Sequence, residues 1–374
     1  MAGIYIHIPY CRKKCCYCDF HFSTALKTRK EMIWALNREL ILRKNYLSEK
    51  IETIYLGGGT PSLLSEEEIE SVFRTIFENY IVSDDAEITL EANPDDLTQE
   101  KIRFFKNTPI NRFSIGVQSF FDTDLKFMNR AHNAKEAINS IENVKKAGFK
   151  NITIDLIYGI PNSKNWKNNL NIFFNSGITH LSSYALTVEE KTILNHLIKT
   201  KKIQPINEDQ QKKEYDQLIE QIQMNGFEQY EISNFAKNEH YSTHNTNYWK
   251  AKPYLGIGPS AHSFNGKSRQ WNVANNTQYI KAIQNDKLPA EIEQLGLKEL
   301  YNEKVMIGLR TKWGINLEEM RMLGKQFEET LLNVSNKYIA DNKLFIKDGC
   351  LILNPYYRFF TDGIASDLFI IDDF

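Results

Sequence analysis

An α/β fold is predicted, a partial (β/α)6 barrel followed by a helix-rich domain that ends in a wing, and three observations predict it. Six short, alternating apolar segments recur up to about residue 185, and helical stretches join them. That rhythm implies parallel strands linked by crossovers. Eight such units close a barrel, so six leave it open on one side, with the chemistry at the C-terminal ends of the strands. From about Leu295 the pattern changes to helices and a terminal hairpin.

The first strand is "GIYIHIP", where Ile4, Ile6 and Ile8 alternate with Tyr5 and His7. A helical stretch at 25–47 has apolar residues at Met32, Leu36, Leu40 and Ile41. "IETIYLGGG" is the second strand, and Ser65 with Glu68 gives the next helix a capping box. "AEITLEANP", "NRFSIGVQS", "NITIDLIYGIP" and "ITHLSSYAL" complete the six. "FEQYEISNFA" reads as a further strand and loop, and "YLGIGPSAHSF" as a glycine-rich turn. "NKLFIKDGCLILN" is a hairpin turning at Asp348 and Gly349. The chain divides into a barrel at 1–245, an extension and linker at 246–294, and a C-terminal domain at 295–374.

The balance of 46 basic and 47 acidic residues gives no general pull toward nucleic acid or anionic lipid. No apolar run approaches the roughly 20 residues of a membrane helix, and no signal peptide is visible at the N-terminus. Four of the five cysteines lie within eight positions, in "CRKKCCYC". Such crowding is no disulfide framework and points to a reducing cytoplasm.

Cys11, Cys15 and Cys18 form C-x3-C-x2-C directly after the first strand, at the barrel mouth. Three thiolates suit zinc with His7 or His21 as a fourth ligand, or three irons of a four-iron cluster with the fourth iron open. "GGGTPS" ends the second strand, and its glycines let backbone approach a ligand. Glu91, Gln118 and Asp155 lie on the third, fourth and fifth strands, and Arg130 follows the fourth. Their placement at one end of the barrel predicts a polar ligand. A sulfonium nucleoside with an amino-acid tail would suit it.

On "YIHIPYC", "GGGTP", "EANP", "GVQSF", "RAH", "DLIYGIP", "YEISNFA" and "GIGPSAHS", in that order, the chain resembles the radical S-adenosylmethionine (SAM) enzymes of the oxygen-independent coproporphyrinogen III oxidase family. The resemblance runs from residue 4 to about 265, and the C-terminal region is similar to the family's extra domain. It implies that Cys11, Cys15 and Cys18 bind a [4Fe-4S] cluster whose open iron chelates SAM, with Cys16 a bystander. It further implies SAM contacts at Tyr5, Gly57, Gly58, Gly59, Thr60, Glu91, Gln118, Arg130, Asp155 and Ala185.

Two departures separate the chain from the oxidase proper. Phe20 stands where the oxidase has another cysteine, and the first strand begins at residue 3, without the longer N-terminal arm. Both resemble a subgroup associated with haem binding and delivery, as does "HNTNYW" at 244–249. By that resemblance His244 offers an imidazole to haem iron, with His262 or a tyrosine as substitutes, and Tyr248 and Trp249 offer flat apolar surface. A smaller departure is Asn129, where glycine is usual. The function implied is a carrier that binds a cluster and SAM and hands haem to acceptor proteins, respiratory cytochromes among the candidates. The alternatives are the oxidase itself and a radical SAM enzyme of another substrate. Transient membrane docking and a homodimer stay open.

Overall fold

A computed structural model describes residues 2–371. The barrel half runs β1 (Ala2–Ile8), α1 (Arg29–Leu42), β2 (Ile51–Gly58), α2 (Glu66–Asn79), β3 (Val82–Ala92), α3 (Gln99–Lys106), β4 (Arg112–Gln118), α4 (Asp122–Phe127), α5 (Ala134–Lys146), β5 (Asn151–Tyr158), α6 (Trp166–Asn175) and β6 (His180–Ala185). Each strand pairs in parallel with the next. β1 and β6 are not neighbours, so the barrel is open, as predicted. Ile4, Ile6 and Ile8 are buried in one core with Met32, Leu36 and Leu40 of α1. Because strand side chains alternate, Tyr5 and His7 face the barrel interior. The Ser65–Glu68 capping box opens α2 as expected.

Two helices follow, α7 (Ile193–Lys199) and α8 (Glu208–Met224), and then two short strands, β7 (Glu228–Gln229) and β8 (Asn234–Ala236). β8 lies antiparallel on β6. Next come α9 (Thr243–Trp249), β9 (Tyr254–Ile257), β10 (His262–Phe264), β11 (Ser268–Asn272), α10 (Asn276–Gln284) and β12 (Ala290–Gln294). The expected glycine-rich turn is thus a strand, a tight reversal and a second strand. β9 pairs in parallel with β1, and the sheet reaches 12 strands. The glycines that hid these strands are what the fold requires. A Cβ on Gly256 would meet the His262 carbonyl at 1.9 Å, so only glycine lets β10 fold back onto β9. Buried Glu39 of α1 locks this edge by accepting from the Gly258 amide (2.9 Å), Asn272 (2.8 Å) and Tyr279 (2.5 Å).

The C-terminal region has α11 (Leu297–Leu309), β13 (Ile315–Asn316), α12 (Leu317–Leu323), α13 (Lys325–Ala340), β14 (Leu344–Lys347), β15 (Cys350–Leu353) and α14 (Thr361–Asp367). It has its own core, built on Tyr301, Leu309, Leu331 and Leu351. The hairpin turns with both Asp348 (φ 51°) and Gly349 (φ 74°) left-handed, the signature of a type I′ turn. β13 adds a third strand to the expected two-stranded wing.

Candidate cofactor site and cavity

The cysteine loop leaves β1 at the barrel mouth, and Cys16 anchors it. Its side chain is buried with Leu125, Met128, Ile157 and Leu194. Its amide donates to the Met128 carbonyl (3.1 Å), and its carbonyl accepts from the Leu194 amide (2.8 Å). Pinning Cys16 inward leaves Cys11, Cys15 and Cys18 only partly buried, on the open side of the loop. Asn129 has φ 57°, the left-handed region that glycine and then asparagine tolerate best, and its amide adds a 2.7 Å bond to the Lys14 carbonyl. The departure from glycine therefore costs the loop little.

Cys18 lies within the electrostatic reach of both Cys15 and Cys11. Yet among the described residues no three His, Cys, Asp or Glu side chains stand close enough to share one metal ion. His7 is also spoken for, with Nδ1 on the Tyr5 hydroxyl (3.1 Å) and Nε2 on the His21 carbonyl (2.8 Å), and His21 Nε2 is on Asn276 (2.7 Å). That leaves His7 no free nitrogen for a zinc ion. Two of the cysteine sulfurs accept hydrogen bonds. Thr60 donates to Cys11 Sγ (3.4 Å), and Arg130 donates to Cys15 Sγ (3.3 Å). Burial pushes the Cys11 thiol up to about 11 and Cys18 up to about 12, so both carry their protons at neutral pH in the metal-free chain.

The glycine run forms a cradle beside the loop. Gly58 has φ 101°, and a Cβ there would meet the His7 ring at 2.4 Å; one on Gly59 would meet the Tyr10 carbonyl at 2.6 Å. Glu91, at the end of β3, accepts from the Gly58 amide (3.1 Å) and the Tyr55 hydroxyl (2.8 Å). Burial raises its pKa to about 7, against those two bonds, and nearby Asp155 adds to the rise. Asp155 is itself raised to about 6 by burial, and accepts from Ser114 (3.2 Å). Two carboxyls held above their ordinary range favour a cationic ligand group that would let them ionise.

A cavity of about 640 Å³ is lined by Tyr5, Gly58 and Glu91 together with Tyr248, Trp249 and His262. That volume is within the range that encloses drug-sized ligands. The other seven expected SAM contacts, Gly57, Gly59, Thr60, Gln118, Arg130, Asp155 and Ala185, lie outside its lining. Arg130 is bonded to Asn93 (2.7 Å) and the Gly116 carbonyl (2.8 Å) as well as Cys15, Asp155 is within β5, and Gln118 and Ala185 stand at the ends of β4 and β6.

α9, which carries "HNTNYW", is tied to the barrel interior. Glu87 of β3 accepts from the Thr243 and His244 amides (3.0 and 2.9 Å) and pairs with buried Arg112 (3.8 Å). His244 lies outside the cavity lining. It is buried behind the cavity wall, stacked on Tyr55 at 5.0 Å, with Nδ1 on Thr53 (2.7 Å) and Nε2 on the Tyr248 hydroxyl (2.8 Å). Both nitrogens are engaged, and the Nε2 bond holds the Tyr248 hydroxyl. From Tyr248 a row of rings continues through Tyr254 (4.6 Å) to Phe264 (6.4 Å) along the wall. Tyr254 and the C-terminal residues Glu303 and Ile307 escaped the sequence reading. Tyr254 falls in the glycine-rich stretch that reads as a turn, and no local pattern in α11 marks a residue that reaches the cavity.

This fold and site define a radical SAM protein. The profile of the Radical SAM superfamily matches residues 5–168, and that of the HemN C-terminal domain matches residues 295–356. The chain is 33% identical to the haem chaperone HemW of Bacillus subtilis (strain 168), covering 91% of this chain and 93% of that protein. It is 36% identical to HemW of Buchnera aphidicola subsp. Acyrthosiphon pisum, covering 94% and 92%. Its fold is similar to that of coproporphyrinogen III oxidase (HemN) from Escherichia coli, with a TM-score of 0.83 over 98% of this chain and 89% of that one, at 19% identity. The chain belongs to the HemW family.

Proposed function

We propose that the chain is a haem chaperone that binds a [4Fe-4S] cluster and SAM and delivers haem to acceptor haemoproteins. The observation that carries this is the shared cavity, lined both by the cradle residues Tyr5, Gly58 and Glu91 and by the aromatic residues Tyr248 and Trp249. Membership of a family whose named relatives are haem chaperones supports it.

Cys11, Cys15 and Cys18 would hold the cluster, with Thr60 and Arg130 donating to their sulfurs. The Gly57–Thr60 turn and Glu91 would hold SAM, with Asp155, Gln118, Arg130 and Ala185 around them. When bound, the cluster and SAM supply redox chemistry of the radical SAM type. The chain's residues orient SAM at the cradle and keep its carboxyls poised for a cation. Tyr248 and Trp249 would cover a face of the macrocycle with apolar area.

Work in the cytoplasm is supported by five free cysteines and by the lack, among the described residues, of any helix long and apolar enough to cross a membrane. Respiratory cytochromes are the proposed acceptors, reached by transient docking at the membrane. Phe20, 67% exposed, puts a ring rather than a thiol beside the cluster loop, which speaks against the oxidase reaction. The test is anaerobic reconstitution followed by haem titration, with coproporphyrinogen III supplied in parallel. Haem binding without porphyrinogen turnover supports the carrier, and turnover without haem binding overturns it.

A further inference from the structure

The geometry points to His262 of β10 as the residue that ligates haem iron. This assignment rests on the haem-carrying reading above. Three imidazoles line the cavity, those of His7, His21 and His262. His7 uses both nitrogens on Tyr5 and the His21 backbone, and His21 is held by Asn276. Neither ring nitrogen of His262 has a hydrogen-bond partner among the described residues, and its side chain is open to the cavity.

The strand explains why. His262 and Phe264 share one face of β10, while Ser263 between them turns inward to accept from the Gly256 amide at 3.0 Å. His262 pairs in register with Trp271 on β11, whose ring lies 6.1 Å away at an interplanar angle of 31° and backs the imidazole. The edge is fixed in turn by the Glu39 network on Gly258 and Asn272. A rigid, unpartnered imidazole therefore projects over a pocket walled by Tyr248, Tyr254 and Phe264, as a neutral nitrogen ligand for haem requires. The tyrosines compete poorly. The Tyr5 and Tyr248 hydroxyls are engaged, and burial pushes Tyr254 up to about 12, so it offers no phenolate near neutral pH.

The experiment titrates haem into the reconstituted full-length protein and its His262→Ala, Tyr254→Phe and His244→Phe variants, read by absorbance and by magnetic circular dichroism. The wild type and Tyr254→Phe should show the imidazole-ligated spectrum. His262→Ala should lose it and bind at least about tenfold more weakly, and added free imidazole should restore the spectrum. His244→Phe should keep the spectral type, with weaker binding through a displaced Tyr248. An unchanged spectrum and affinity in His262→Ala, or a loss confined to Tyr254→Phe or His244→Phe, overturns the ligand assignment while leaving the carrier reading standing. A wild type that binds no haem overturns both.

Discussion

Replacing Glu91 with glutamine should make the cluster-free protein more stable at alkaline pH while weakening its hold on SAM. Glu91 keeps its proton up to about 7 because burial outweighs the bonds from Tyr55 and Gly58. A folded pKa above the unfolded value of 4.5 means a stabilising contribution that is complete below about 4.5. It is lost as pH rises through 7. At 1.36 kcal/mol per pKa unit the loss approaches about 3 kcal/mol, and opening to the cavity trims it to about 2. Glutamine carries no charge to bury, but can accept from only one of the two donors, a cost of about 1 kcal/mol. Glu91→Gln should therefore be slightly less stable than wild type at pH 5 and about 1 kcal/mol more stable at pH 8.5. Asp155, raised to about 6 by burial, leaves a residual slope of the same sign in both proteins. Urea unfolding of cluster-free protein at the two pH values measures the crossover. Calorimetry of the reconstituted protein should show SAM affinity reduced by about 1.5–3 kcal/mol, the value of a charge-assisted hydrogen bond. Parallel pH profiles for the two proteins would refute the buried-carboxyl reasoning, and unchanged SAM affinity would take Glu91 out of the site.

The cysteine roles separate by substitution: reconstituted wild type should hold about four irons, Cys11→Ala, Cys15→Ala and Cys18→Ala together should hold none, and Cys16→Ala should keep its irons. Because Cys16 is the buried anchor of its loop, Cys16→Ala should lose about 1–2 kcal/mol in denaturant unfolding. Removing the imidazole in His244→Ala leaves the Thr53 and Tyr248 hydroxyls without a partner, and should lower stability by about 1–3 kcal/mol even without haem; a variant as stable as wild type would show that the network does not hold α9. Trp249→Ala should weaken haem binding through lost apolar area, by about 1–3 kcal/mol in a titration. No protoporphyrinogen IX should form from coproporphyrinogen III under reducing, anaerobic conditions with SAM.

Much of this was legible because the signals were local. The alternation of Ile4, Ile6 and Ile8 fixed which face of β1 packs on α1, and so which face Tyr5 and His7 turn to the interior. The cysteine spacing and the glycine run each report a loop whose chemistry is set within a few residues. What stayed hidden depends on contacts distant in sequence. The strands β9 and β10 read as a turn, because glycine density there reflects close backbone approach and not coil. His244 and His262 differ only in what surrounds them. The first is closed in by Thr53 and Tyr248, the second is left open by the reversal at Gly256, and no one-dimensional pattern distinguishes an engaged imidazole from a free one. Glu303 and Ile307 reach the cavity from α11, a helix whose own periodicity describes only its core.

The most direct test of the carrier account is haem transfer. Reconstituted protein loaded anaerobically with haem is mixed with an apo-cytochrome acceptor, and the spectrum of each is followed after separation. The account predicts a protein-bound haem spectrum on the chain that decays as the acceptor's own haem spectrum appears. Retention of haem by the chain with an acceptor that takes free haem readily, or failure of the chain to hold haem through separation, would contradict it.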